Sequence, residues 1–269
     1  MTMELAIVGF GSLGRSIAAG AVQSRFLLPS QITVVAEPGT AGDESRNHAR
    51  ECDLQLATHD SIREAKVILL SVKPQSFREV AAAIGVVPRD GALIISIMAG
   101  TSMATIRAAL GGQARVCRVM PNLAASVLRA VTAIADDAEI SAADFKRVEQ
   151  LCASIGKSVR VPEALFDAVT ATSGSGPAFL YRYLESWEQA AERIGLPKEI
   201  AQTLARETLF GAAELLRVSS ASPRTLRAKV TSKGGTTAAG MKHLDAGLDA
   251  MVEETLRAAR DRGAELSAS

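Results

Sequence analysis

Leu5-Ala6-Ile7-Val8-Gly9-Phe10-Gly11-Ser12-Leu13-Gly14 decides how the amino half is read. Four consecutive apolar residues run into a glycine-rich turn, and a helix-compatible stretch follows to about residue 24. An apolar run without alternation is the mark of a strand covered on both faces. Each glycine of a G-x-G-x-x-G turn between strand and helix has its own task. Gly9 makes the tight turn, Gly11 lets the backbone approach a pyrophosphate, and Gly14 permits close helix–strand packing. Ser12 and Leu13 open the helix, whose N–H groups and dipole suit phosphate. Such a turn alone has a purely structural alternative, but its place between a first strand and a helix favours a dinucleotide.

The pattern continues outward. Strand candidates lie at 32–36, 67–72, 93–98, 115–119, 131–135 and 158–161, with helix-length segments near 42–52, 75–84, 102–110 and 141–155. The alternation predicts a doubly wound α/β Rossmann-type domain with a parallel sheet over residues 1–162. After Pro162 the strand signal stops. Phe179, Leu180, Tyr183, Leu184, Trp187, Ala191 and Ile194 recur at three- and four-residue spacing, a broad apolar helix face that reads as packing surface. Gly195-Leu196-Pro197 ends that helix and starts another, which runs to about Arg217 until Ser219–Pro223 breaks it. Residues 163–269 are therefore expected to form an all-helical domain that buries its Ala-rich faces against a second copy.

Glu37 closes the second strand, where a carboxylate accepts from a ribose hydroxyl and repels a 2′-phosphate. It tilts the cofactor toward NADH, while Arg46 in the following helix is placed to meet a 2′-phosphate. A solvated strand-end carboxylate is the alternative.

Bulk properties exclude several classes. Lys+Arg (30) nearly balance Asp+Glu (29), so no overall field draws the chain to nucleic acid or an anionic membrane. Cys52, Cys117 and Cys152 are odd in number and widely spaced, and His48, His59 and His243 are scattered. That speaks against a disulfide framework and against a metal, and fits a reducing cytoplasm. No apolar stretch is long enough to span a membrane, and no export signal precedes the first strand.

Five ordered segments carry a more specific resemblance. They are Ser71-Val72-Lys73-Pro74-Gln75, Ser96-Ile97-Met98-Ala99-Gly100, Arg118-Val119-Met120-Pro121-Asn122, Ser173-Gly174-Ser175-Gly176-Pro177-Ala178 and Val230-Thr231-Ser232-Lys233-Gly234-Gly235-Thr236-Thr237. Together they resemble the motifs of the pyrroline-5-carboxylate reductase family and cover nearly the whole chain. The resemblance implies a Rossmann domain, a helical dimerisation domain, and a homodimer or a ring of dimers. It also implies reduction of 1-pyrroline-5-carboxylate to L-proline with NADPH or NADH, NADPH being the family expectation. It places Ser71, Val72, Lys73, Pro74, Ala99, Gly100, Met120, Pro121 and Asn122 against the cofactor. Ser175, Lys233, Gly234, Gly235, Thr236 and Thr237 fall to the substrate, with the Thr237 hydroxyl near the ring nitrogen. Two residues depart from the family pattern. Lys233 stands where proline is common, which bears on substrate range, and Ala130 stands for a glycine, which reads as a packing detail.

The residues themselves suit that chemistry. Gly234 and Gly235 precede a helical stretch ending near Leu244, so exposed N–H groups and a helix dipole form a carboxylate cradle. Ser175 reads equally as a helix cap, with Gly176 and Pro177, or as a substrate contact. His243 reads as solvated. A β-hydroxyacid or imine reductase with a related Rossmann half is the nearest rival; a hydroxyacid dehydrogenase wants a catalytic Lys or His, and none is convincing here. A related cyclic-imine reductase with altered substrate and a non-catalytic dinucleotide-binding paralogue also compete with the reductase reading.

Overall fold

In the computed structural model, which describes residues 3–36 and 40–268, each strand expected in the amino half is present. In chain order come β1 (Leu5–Val8), α1 (Ser12–Gln23), β2 (Ile32–Val35), α2 (Thr40–Glu51), β3 (Gln55–Leu56), β4 (Val67–Leu70) and α3 (Phe77–Ile84). Then follow β5 (Leu93–Ser96), α4 (Met103–Ala109), β6 (Arg115–Met120), β7 (Ala130–Asp136), α5 (Ala142–Ala153) and β8 (Gly156–Pro162). The strands form one eight-stranded sheet in the order β3-β2-β1-β4-β5-β6-β7-β8. β1 pairs in parallel with β2 on one side and β4 on the other, Val8 lying level with Val35 and Leu70.

The sheet is apolar through its thickness because two cores use its two faces. Leu5, Ile7, Leu69 and Ile95 meet Ile17, Ala18 and Ala21 of α1 and Val148 and Leu151 of α5. Ala6, Val8, Ile68, Leu70 and Ile94 meet Phe77, Val80 and Ile84 of α3 and Ile106 of α4. Successive residues of a strand point to opposite faces, so burial of both faces leaves few polar positions, among them Thr33, Ser96 and Arg118.

The expected parallel sheet has one exception, since β6 and β7 are antiparallel. Residues 121–129 link them without a crossover helix, which a parallel connection of about a dozen residues or more would need. β3 is too short and too exposed to leave a periodic signal.

Beyond β8 the chain is helical, as expected. A 3-10 turn (Glu163–Leu165) leads into α6 (Phe166–Val169), a π-helical turn (Thr170–Gly174) and α7 (Gly176–Arg193). α8 (Lys198–Val218), α9 (Pro223–Lys229), α10 (Thr236–Leu244) and α11 (Leu248–Ala268) complete it. The break expected at 219–223 holds a helix start: Ser222 accepts from Thr225 N at 3.2 Å, and Pro223 takes the first helical position.

Packing divides the chain into two units, Met1–Ser175 with Ala258–Ser269, and Gly176–Arg257. Phe166 belongs to the core on the α3 face of the sheet. The last turns of α11 group with the same unit, Gly263 lying against Asp167. The second unit has little core of its own. Among its described residues only Ala201 and Ala205 are buried apolar ones, while Leu180, Leu204, Phe210, Leu215 and Met251 stay exposed.

Candidate functional site

The glycine-rich turn lies where β1 and β4 end side by side. Gly9 has φ +84°, and a Cβ there would stand 2.7 Å from both the Ser71 carbonyl oxygen and Val72 Cγ1. A Cβ on Gly14 would meet the Gly9 carbonyl oxygen at 2.9 Å and Ser71 Oγ at 3.0 Å. Gly11 is different: nothing lies within 4 Å of a Cβ built there. The fold therefore needs Gly9 and Gly14 bare, whereas the open space over Gly11 is what a dinucleotide pyrophosphate requires. The turn is held from below, for Arg15 Nε and Ser45 Oγ both donate to the Phe10 carbonyl, at 2.9 and 3.2 Å. α1 starts on Gly11, which has no side chain to cap it, and its first turn carries no acid. The first-turn N–H groups and the dipole point to an anion.

The other expected cofactor residues gather at the carboxyl ends of neighbouring strands. Ser71 and Val72 follow β4. Lys73 is exposed and extended (φ −68°, ψ 143°), the conformation Pro74 imposes on it. Ala99 and Gly100 follow β5, with Gly100 at φ +67° under the backbone of Leu266. Met120 and Pro121 are buried at the end of β6, and the Asn122 Oδ1 atom is buried with no donor among the described residues. That oxygen fits an amide or iminium N–H. Arg46 Nη1 donates to the Ala36 carbonyl beyond β2 at 3.0 Å, and the guanidinium also pairs with Asp43. Glu37 lies outside the described residues.

Ser175 is not the N-cap of α7 but the residue that closes the π-helical turn. It is helical (φ −82°, ψ −20°) and its N–H donates to Thr170 O at 2.8 Å, so the π-helical turn runs straight into α7. Pro177 explains the widened turn: it offers no N–H to close an ordinary turn, and its ring needs room on the preceding one.

In the second unit, Gly234 turns the chain at φ +73° and Gly235 caps α10 without a side chain. Ser232 Oγ crowds the place a Cβ on Gly235 would take. The first turn of α10 offers Thr236 and Thr237, both exposed, and no acid. Lys233 is exposed in the turn, and His243 is exposed at the far end of α10.

Cys117 and Cys152 are buried, out of reach of a substrate, while Cys52 is exposed. Burial pushes the Cys117 thiol up to about 12 and raises Cys152 as well. Sequence reasoning gives no role to Arg118, which proves almost wholly buried. A charged residue inside the apolar run Val116-Cys117-Arg118-Val119-Met120 is the available signal.

Comparison with known proteins agrees with this geometry. Residues 163–266 match the family described as pyrroline-5-carboxylate reductase dimerisation, and residues 4–100 match one described as NADP oxidoreductase, coenzyme F420-dependent. The pyrroline-5-carboxylate reductase of Pseudomonas aeruginosa is 34% identical over 268 residues, 99% of this chain and 97% of that one. The chain belongs to the pyrroline-5-carboxylate reductase family. The family's solved structure from Coxiella burnetii is 29% identical and superposes with a TM-score of 0.88, covering 99% of both chains. The Plasmodium falciparum pyrroline carboxylate reductase, solved with NADP bound, shares the fold with a TM-score of 0.85 over 98% of each chain at 23% identity.

The two kinds of glycine separate by experiment. Gly11→Val should leave the melting temperature almost unchanged and weaken binding of a reduced nicotinamide dinucleotide at least tenfold by fluorescence titration. Gly9→Ala should cost about 2–4 kcal/mol of stability, since φ and space both oppose it. Equal melting losses in the two variants would refute the distinction.

Proposed function

We propose that this protein reduces 1-pyrroline-5-carboxylate to L-proline with NADPH or NADH. The observation that carries the reading is the pair of glycine-started helices in a chain of this family, α1 open over Gly11 for a pyrophosphate and α10 behind Gly234-Gly235 for a carboxylate.

The residues suit the reaction's charges. In this reading Gly9, Gly11, Ser12, Leu13 and Gly14 hold the pyrophosphate, and Ser71 to Pro74, Ala99, Gly100 and Met120 to Asn122 shape the nicotinamide place. A reduced nicotinamide held by these residues would supply the hydride for the imine carbon, the C=N electron pair going to nitrogen. The N–H groups at Gly234, Gly235 and Thr236 bind the substrate carboxylate, and Lys233 adds a positive charge beside it. Ser175 joins as a substrate contact. Thr237 Oγ accepts from the iminium N–H and so keeps the proton on the substrate, which leaves the carbon electrophilic. With the substrate already protonated no strong side-chain acid is required, and orientation supplies much of the acceleration, roughly 7–11 kcal/mol in favourable cases.

Residues 1–162 are, in this reading, the dinucleotide domain and 163–269 the helical dimerisation domain. The exposed apolar faces of α7 and α8 are covered by a second copy, and dimers can assemble further into a ring. No helix among the described residues is long and apolar enough to cross a membrane. Free cysteines fit a cytoplasmic enzyme.

Oxidation of NADPH and of NADH, followed separately on adding pyrroline-5-carboxylate, tests the activity. Turnover establishes the reductase, and the ratio of kcat/KM values decides between Glu37 and Arg46 as the ribose-end determinant. Cofactor binding without turnover would point instead to a different cyclic-imine substrate selected by Lys233, or to the non-catalytic paralogue. Thr237→Ala should lower kcat/KM by about 10- to 100-fold, in the range of a lost transition-state hydrogen bond, and leave cofactor affinity within about twofold. Wild-type kcat/KM in that variant would remove Thr237 from the mechanism. Light scattering should give at least twice the 28.2 kDa chain mass, and a monomer would refute the shared helical interface.

A further inference from the structure

Arg118 and Asp144 are the charged residues buried among the described residues, at 4% and 3% exposure. Asp144 is fully engaged, since it pairs with Arg115 and accepts from Ser141 Oγ at 2.9 Å. Arg118 is not. Its Nη1 lies 3.5 Å from Glu163 Oε1, and its guanidinium carbon stands 4.7 Å over the centre of the Phe166 ring. Nε and Nη2 find no hydrogen-bond acceptor among the described residues. Glu163 Oε1 meanwhile accepts from Met103 N at 2.8 Å, at the start of α4. Burial lowers the Arg118 pKa, and the carboxylates of Glu163 and Asp167 oppose that shift.

A buried guanidinium with Nε and Nη2 unpaired is a poor stabiliser, and a methionine of similar length would fill the same space without desolvating a charge. Its value lies in what it fixes. Arg118 and Met120 alternate along β6 and share one face of the sheet. Glu163 and Phe166, which Arg118 grips, begin the segment that continues through α6 into the π-helical turn. That segment is internally braced, Thr170 Oγ1 donating to Phe166 O at 2.7 Å and Ser173 Oγ to Val169 O at 3.0 Å. At its far end Gly174 faces Met120, whose Sδ lies 3.8 Å from the place of a Cβ on Gly174.

We propose that Arg118 is a positioning residue: by gripping Glu163 and Phe166 it sets the π-helical turn against Met120, and so fixes the geometry of hydride transfer. The second half of that statement rests on the reductase reading above; the first half does not. Sequence marks Arg118 only as an oddity in a strand, because Glu163 and Phe166 reach it through the fold.

The test uses the full chain as wild type, Arg118→Met, Arg118→Lys and Glu163→Gln. Hydrogen exchange should speed at least tenfold in peptides spanning Thr170–Gly174 of Arg118→Met and stay unchanged in α1. Its kcat per folded enzyme should fall about tenfold, with the primary isotope effect from cofactor deuterated at the transferred position rising and cofactor KM within twofold. Arg118→Lys should fall between wild type and Arg118→Met. A merely structural loss would lower the folded fraction and leave the isotope effect alone. Should Arg118→Met fail to fold, Glu163→Gln, which keeps an acceptor for Met103 N, must show the same two changes in weaker form. Unchanged exchange at 170–174 together with an unchanged isotope effect overturns the proposal. A wild type that does not turn over refutes the reductase reading instead, and exchange alone then decides whether Arg118 holds the turn.

Discussion

The backbone of Gly9 rests on the carbonyl of Ser71, and the geometry of the nucleotide end depends on that contact. β1 and β4 are neighbours in the sheet although β2 and β3 lie between them in the chain. The strand order reverses at this point, so α1 covers one face while α3 covers the other. Between strands whose helices leave in opposite directions a crevice opens at the carboxyl ends, the usual place for a ligand in such sheets. A side chain at position 9 would wedge the turn off β4, and the start of α1 would move with it. The phosphate-ready end of α1 is thus placed by a packing contact, while its chemistry comes from Gly11 standing in open space.

The same burial explains what the sequence could reveal. β1, β2, β4 and β5 are buried at every position, and apart from Thr33 and Ser96 their residues are apolar, so they announce a doubly wound sheet. β3 contributes two exposed residues at an edge and carries no such signal. The direction of β7 was not readable either, because it follows from the missing crossover over 121–129 rather than from any property of β7. Gly9, Gly11 and Gly14 could be assigned separate tasks from spacing, and Gly9 and Gly14 are crowded where Gly11 is open. The π-helical turn at Thr170–Gly174 has no periodic signature, and the expected cap at Ser175 gave way to it because Pro177 closes no ordinary turn.

Arg118 shows the complementary limit. A strand sequence states that a charge is buried without saying which distant group meets it. Glu163 lies 45 residues away along the chain, and the Phe166 ring beyond it. Only the return of the chain after β8 brings them to β6, so the role of Arg118 is tertiary information.

Charge on this protein is placed locally, and the helix starts show how. The formal net charge is only +1, so two anionic groups must be bound without a general positive field. Ser102, Ser141 and Ser222 cap α4, α5 and α9 with side-chain oxygens. α2, α3, α8 and α11 carry Asp43, Glu79, Glu199 and Asp249 in their first turns. In each of these the positive end of the helix is answered from within the chain. α7 has no free start, because it continues the π-helical turn. α1 and α10 begin on Gly11 and Gly235, with no capping side chain and no acid in the first turn. These two bare starts are the ones that the proposed reaction assigns to anions from outside the chain. A dinucleotide pyrophosphate and a small carboxylate are the two anions the proposed reaction requires.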